Sequence, residues 1–242
     1  MPRPSPRTQE ARSAAARTAL VRSAIETLSD GGVARATTAA IASRAGMTTG
    51  ALHHHFPAKE DLFLAVLDEL TLQALALIAN LGAGARRSRS LSRAIVNDLW
   101  SLYGSRQYWA VWEINMGYRG DQAMHRTLVD HRARTRQRMR RALLANEHLD
   151  DATRRALLAS LPFLLCALRG AFLETFFAPN DNAALRPPLT ALVSFLDARL
   201  VENAARSGRN GDAVGGRRGR GSGRQTGRTV VDRRRERDRV AR

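Results

Sequence analysis

Cysteine occurs once in 242 residues, at Cys166. A lone thiol cannot form an intramolecular disulfide, so a disulfide-stapled secreted scaffold is excluded and a reducing compartment fits. Lysine is as scarce, with Lys59 standing alone beside 38 arginines. A coding sequence rich in G and C accounts for that skew without any functional meaning. No unbroken apolar run exceeds the 13 residues ALLASLPFLLCAL, 156 to 168, and roughly 20 are needed to span a bilayer. The stretch MPRPSPRTQEARSAAARTALV carries arginines but no apolar core, so it does not read as a secretory signal. These deficits predict a cytoplasmic protein with no membrane partner. Cys166, inside the apolar run, is expected to be a small packed hydrophobe rather than a nucleophile.

Acidic residues are also in deficit. There are 22 against 39 Lys and Arg, a net charge of +17 with a pI near 11.6, while the hydrophobic share of 44% is ordinary for a soluble protein. An acidic partner follows, nucleic acid above all, because arginines release counterions from phosphates whatever the base sequence. No Ser/His/Asp grouping, carboxylate pair or phosphate-binding loop is evident, so the chain is not expected to be an enzyme or to need a cofactor or metal.

Periodicity is helical, and no segment alternates apolar and polar residues between turn signals, so the predicted fold class is all-α. Leu20, Val21, Ala24, Ile25 and Leu28 share one face of a first helix that Gly31 and Gly32 stop. From Asp61 the pattern Leu62, Val66, Leu70, Leu77 runs helically to the break LGAGARRSRS at 81 to 90. Two helical stretches between 91 and 118, split near Gly104, hold all three tryptophans. A long helix over about 121 to 147 carries the stripe Met124, Leu128, Thr135, Met139, Leu143. Its run RARTRQRMRR falls into two rows, Arg132, Arg136, Arg140 and Arg134, Arg138, Arg141, the pattern of a solvated face rather than an anion site.

The helix expected at about 150 to 178 opens on Asp150 and Asp151, which suit its positive end. It is apolar nearly all round in its middle, so it needs cover from its own domain on one face and from a second subunit on another. A last helix, about 184 to 203, carries Leu189, Leu192, Val193, Leu196 and Leu200. Residues 205–242 then turn to arginine and glycine, with 13 arginines against 4 acids, a net +9. They have too few apolar residues to offset the entropy of ordering, and a disordered basic tail is expected.

Between Thr37 and Phe56 the sequence TTAAIASRAGMTTGALHHHF punctuates two short helices and a tight turn. Thr38 is placed to accept from the first N–H groups of one helix, whose Ile41, Ala42 and Ala45 face inward before Gly46 ends it. Thr48 caps the other, Met47 and Leu52 form a hydrophobic staple across that cap, and Pro57 stops it. This is a helix-turn-helix, whose second helix enters the DNA major groove with its N-terminal residues at base edges. Successive helical residues are about 100° apart, so His53, His54 and His55 cannot converge on one metal. His55, beside Phe56, leans toward the core with phosphate contact as the alternative; His53 and His54 are expected at the surface.

Residues 13–73, with the helix-turn-helix at 36–55, resemble the DNA-binding domain of TetR-type transcriptional regulators. The resemblance is carried by Gly31-Gly32, Thr37-Thr38, Ile41-Ala42, Ala45-Gly46, GALHHHF and Lys59-Glu60-Asp61-Leu62. It implies an N-terminal three-helix DNA-binding domain and a larger helical ligand-binding and dimerisation domain over 74–204, ahead of the tail. It implies a homodimeric repressor paired through the helices at about 150–178 and 184–203, bound to a palindromic double-stranded operator and released by a small-molecule effector. Residue by residue, Thr38 would touch phosphate, Thr49, Gly50 and Ala51 would approach bases beside the capping Thr48, His54 would reach base or phosphate, and Lys59 would clamp phosphate.

Trp100, Tyr103, Trp109, Trp112, Phe163, Phe172 and Phe176 are the candidates to line an apolar ligand cavity, although aromatics at helical spacing are usually core. The alternative reading is a nucleoid-type protein that binds DNA by charge through its tail. Salt titration separates the two, since specific binding keeps a preference of about 10³ or more at physiological salt.

The family usually has tyrosine where this chain has His53. An imidazole, with an ordinary pKa near 6.5, gains a proton and a positive charge beside phosphate, which a phenol does not. DNA affinity is therefore expected to rise as pH falls from about 7.5 to about 6, and His53→Tyr to flatten that rise. Equal pH slopes for the two proteins in a binding titration would remove His53 from the contact.

Overall fold

The computed structural model describes residues 6–84, 90–177 and 182–215, and the regular structure among them is helical. The helices are α1 (Pro6–Arg35), α2 (Thr38–Arg44), α3 (Thr49–His55), α4 (Lys59–Ala79), α5 (Leu91–Tyr103), α6 (Tyr108–Gly117), α7 (Gln122–Leu144), α8 (Asp151–Phe177) and α9 (Asn182–Gly215). By its contacts the chain divides between Ala204 and Ala205. Helix α9 continues past Ala205, where the composition changes; the rest of the expected tail, 216–242, lies outside the described residues.

Local side chains explain most helix starts. The Ser90 hydroxyl accepts from Arg93 N–H at 3.2 Å to open α5. Asp121 accepts from Ala123 and Met124 N–H, both at 2.9 Å, to open α7. Asp150 accepts from Thr153 N–H at 2.7 Å at the start of α8, and that hydrogen bond holds its carboxyl below the usual carboxylate range. Each satisfies a donor that a helix terminus otherwise leaves without a partner.

Two cores share three helices. The first gathers Leu20, Leu28, Ile41, Leu52, Phe56 and Phe63 from the first four helices, closed by Ala110, Ile114, Met124 and Leu128 of α6 and α7. The second gathers Ile78, Leu99, Tyr108, Leu143, Leu164, Phe172 and Leu196 from α4, α5, α6, α7, α8 and α9. Helix α4 runs unbroken through both, with Leu62 to Leu70 in one and Ala74 and Ile78 in the other. The division drawn after residue 73 therefore falls inside a helix rather than in a linker.

Two readings of the apolar segments need correction. Over 18-residue windows α4 and α8 each reach a mean hydropathy of 1.9, long and apolar enough to cross a membrane, which the count of unbroken runs missed because isolated charges interrupt them. Half of each window is buried inside the fold, the state of a core helix. Cys166 is exposed rather than packed, because it falls on the outer stripe of α8 with Ala159, Phe163 and Gly170 while Leu164, Leu165 and Leu168 take the inner face.

Helix α6 is fastened to the corner between α1 and α2. At Gly32 the chain leaves the helical conformation with φ 72° and ψ 179°. The next N–H, that of Val33, donates to Glu113 Oε2 of α6 at 2.9 Å. A Cβ on Gly32 would sit 2.7 Å from that oxygen, and one on Gly117 would sit 2.8 Å from Val33 Cγ1, so both glycines permit the close approach. Lys59 Nζ donates to the Val33 carbonyl at 3.5 Å, and Tyr118 Oη donates to Glu60 Oε1 at 2.8 Å. Burial, then the Glu60 carboxylate, push the Tyr118 phenol up, so it remains a donor at neutral pH.

Gly32→Ala should thus cost about 1–3 kcal/mol for the strained backbone, with a further loss from displacing Glu113, read as a lower urea midpoint. Gly46→Ala, at φ 68° with nothing within 4 Å of the added Cβ, should lose only the strain. Equal losses for the two would mean that the Glu113 contact contributes nothing.

Candidate nucleic-acid interface and ligand cavity

The turn between α2 and α3 is built from backbone hydrogen bonds that one glycine allows. Gly46, at φ 68°, donates to Ser43 O at 3.0 Å, and Met47 N–H donates to Ala42 O at 2.9 Å, the paired bonds of a Schellman termination. Thr48 Oγ1 accepts from Ala51 N–H at 3.1 Å and starts α3. The cap of α2 is Thr37, accepting from Ala40 N–H at 3.1 Å, and not Thr38. Thr37 has the extended backbone that a cap requires, whereas Thr38 is already the first helical residue.

Helix α3 presents Thr49, Gly50, His53 and His54 to solvent, with Thr48 exposed at its start. Thr49 and His53 are four apart, as are Gly50 and His54, so they form adjoining rows on one face. Ala51 and His55 are half-buried, while Leu52 and Phe56 are buried in the first core. The three histidines therefore divide, two outward and His55 toward the fold. A Cβ on Gly50 would meet nothing closer than Thr48 Oγ1 at 3.9 Å, so internal packing does not call for glycine there. No carboxylate occurs from Ala36 to Ala58, so nothing on this segment repels phosphate.

Thr38 and Lys59 are half-buried. The Lys59 ammonium lies 3.5 Å from the Val33 carbonyl and 5.1 Å from the centroid of the Phe63 ring, which ties the only lysine to the corner that α6 holds. Among the described residues no group of three or more His, Cys, Asp or Glu side chains is placed to hold a metal.

A cavity of about 320 Å³ lies between α4, α5, α6, α7 and α8. Of the seven aromatics expected to line it, Tyr103 and Trp112 do. Trp100, Trp109, Phe163, Phe172 and Phe176 are not in its lining. Phe172 is buried in the second core between Tyr108 and Trp109, at ring distances of 5.4 and 4.6 Å. Phe176 meets Trp109 edge-on at 5.8 Å and is exposed. Phe163 is on the outside against Phe195, 4.6 Å away, and Trp100 packs on the second core. Helical spacing assigned these rings a face but not the side of the bundle.

The cavity's polar groups come from elsewhere. Arg169 donates from Nε to Tyr108 Oη at 2.9 Å and lies 5.6 Å from the centroid of the Tyr103 ring. Burial pushes the Tyr103 phenol up to about 12 and raises that of Tyr108, so both are neutral near pH 7. Arg132, read as part of a solvated row, lines the cavity mouth, while Arg134, Arg136, Arg138, Arg140 and Arg141 are exposed as expected.

Residues 20–66 match the family model described as bacterial regulatory proteins, tetR family. The N-terminal domain is of the TetR type. A transcriptional regulator from Rhodococcus sp. Rha1 shares 21% identity with a TM-score of 0.54, covering 77% of this chain and 94% of that one. A second Rhodococcus sp. protein, described as a TetR-family transcriptional regulator, shares 15% identity with a TM-score of 0.52 over 76% and 98%. The multidrug binding protein EbrR complexed with ethidium matches at 21% identity and a TM-score of 0.46 over 73% and 97%. None of the curated proteins compared with the chain is a match. The first two likenesses show that the TetR-type fold extends beyond the DNA-binding domain.

Sequence reasoning missed the TetR-type domain's attachment through Glu113 and Tyr118, and the cavity's Tyr108 and Arg169. Arg169 did leave a signal, as the one cation within LPFLLCALRGAFL. The cap is directly testable: Thr48→Ala should cost about 1 kcal/mol of stability and weaken DNA binding, because it frees the end of α3 that faces outward. Unchanged denaturation and unchanged DNA affinity would show that α3 does not depend on its cap.

Proposed function

We propose that the chain is a homodimeric TetR-type repressor that binds a palindromic operator and is released by a small molecule held in the cavity, acting in the cytoplasm. In this reading residues 13–73 bind DNA, and 74–204 bind the effector and the second subunit. One observation carries it: α6 lines the cavity with Val111, Trp112, Asn115 and Met116 while Glu113 of the same helix holds Val33 at the corner of the DNA-binding half. A ligand that shifts α6 must move that corner or break the bond, so its binding energy biases the placement of α3 between two states. Thr49, Gly50, His53 and His54 supply the face for bases and phosphates, with Thr38, Thr48, Ala51, His55 and Lys59 around it.

The second copy is argued from α8 and α9. Their outer stripes are apolar or small: Ala159, Phe163, Cys166 and Gly170 on one, Ala191, Ser194, Ala198 and Val201 on the other. Phe163 is 53% and Val201 71% exposed, and short side chains let helices of two subunits approach closely. A two-fold axis there would set two copies of α3 about 34–36 Å apart.

Footprinting on DNA upstream of the protein's own and the adjacent gene should protect two inverted half-sites; uniform, salt-sensitive coating would favour charge-driven binding instead. Phe163→Arg should give a monomer in sedimentation and lower operator affinity at least about tenfold by abolishing two-site engagement. A variant that remains dimeric would move the subunit contact away from α8.

A further inference from the structure

We propose that the cavity takes a hydrophobic carboxylate, with an acyl or aryl body against Leu67, Leu70 and Trp112 and its anionic end paired with Arg169. The inference rests on reading the cavity as the effector site and adds the chemical class of the effector.

Charge around the cavity is one-sided. Among the described residues its lining includes Arg119, Arg132 and Arg169 and the imidazoles of His125 and His131, and no Asp or Glu. The carboxylate that approaches it, Asp68, is 3.0 Å from His131 Nε2 and itself 61% exposed; it is turned to that imidazole and is not part of the lining. Arg119 and Arg132 are exposed, where water screens them. Arg169 is different. It is half-buried on an otherwise apolar stretch of α8, its partners are the phenols of Tyr108 and Tyr103, and among the described residues no carboxylate is within ion-pairing distance of it. A guanidinium taken from water and set beside neutral phenols is left uncompensated.

The guanidinium can only donate, and the lining's other non-imidazole, non-arginine polar side chains, Thr71, Asn115, Thr135 and the two phenols, carry no charge of their own. A ligand that brings acceptors and one negative charge completes the site; a neutral ligand leaves the charge as it is, and a cationic one adds repulsion. A carboxylate matches the guanidinium fork with two parallel bonds. One half-buried guanidinium balances one charge, and the lining of leucines, methionines and aromatic rings takes an apolar body. The volume of about 320 Å³ falls at the lower end of the range of small-molecule pockets.

The test titrates the full-length protein with sodium decanoate, decan-1-ol and decyltrimethylammonium chloride below their micelle concentrations, following tryptophan fluorescence, with release of footprinted DNA measured in parallel. Decanoate should bind at least about tenfold more tightly than the alcohol, as expected for a charged hydrogen bond, and the ammonium probe should bind weakest. Arg169→Met should remove that preference while leaving alcohol binding within about threefold, and Arg169→Lys should keep part of it. The ranking of the probes on the unmutated protein needs no variant to fold.

Alcohol or ammonium binding as tight as decanoate, no binding by any probe, or a preference that survives Arg169→Met in a folded protein would each overturn the carboxylate assignment. Release of DNA by the alcohol or ammonium probe alone would do so while leaving the effector reading intact. Decanoate binding at Arg169 without DNA release would support the site and defeat the effector reading.

Discussion

The hydrogen bond from the Val33 N–H to the Glu113 carboxylate ties the corner after α1's kink to α6. It joins residues eighty positions apart in sequence, and its charged acceptor makes it stronger than a neutral bond in the same place. Much else is arranged to permit it. Gly32 supplies a backbone turn that other residues adopt only under strain and vacates the space the carboxylate occupies; Gly117 brings α6 near enough to reach. Lys59 takes the carbonyl of the same residue, and Glu60 receives the Tyr118 phenol from the end of α6. Both peptide groups of Val33 are thereby held by side chains from helices that also line the cavity, so the corner has little freedom to move independently of α4 and α6.

The helix-turn-helix was legible because its instructions are local. Thr48, Gly46 and Pro57 act on neighbours within a few positions, and the buried pair Leu52 and Phe56 orients the short helix whatever surrounds it. The error at Thr37 and Thr38 shows the limit of that reasoning: two identical adjacent residues can each cap, and only the backbone path after the buried Ala36 decides between them. The outward His53 and His54 and inward His55 followed from angular spacing alone. The cavity was different in kind. Whether an aromatic faces the centre of a bundle depends on where other helices lie, so Tyr103 and Trp112 could not be told from Trp109 and Phe172 by pattern.

Helix α8 shows why composition alone misleads. Its nearly all-round apolar middle divides into a buried inner face of Leu164, Leu165 and Leu168 and an exposed outer one of Phe163, Cys166 and Gly170. Arg169 lies at the seam, reaching Tyr108 across 61 positions of sequence. Its setting becomes visible only once those phenols are seen to be neutral and no carboxylate among the described residues pairs with it. The arginine row on α7 runs the other way: it is solvated throughout, and Arg132 alone of it also borders the cavity.

Because α4 threads both cores, the DNA-binding half cannot be excised at the point where its sequence resemblance stops. A fragment ending near residue 73 would lose Ala110, Ile114, Met124 and Leu128, which close the first core. It would leave Phe63, Val66, Leu67 and Leu70 with one side uncovered, and Gly32 holding a turn whose far anchor had been removed. Such a piece would be sticky and loosely formed rather than a smaller working module. The same covalent continuity makes the two cores a single cooperative object, in which neither can be loosened without the other registering it.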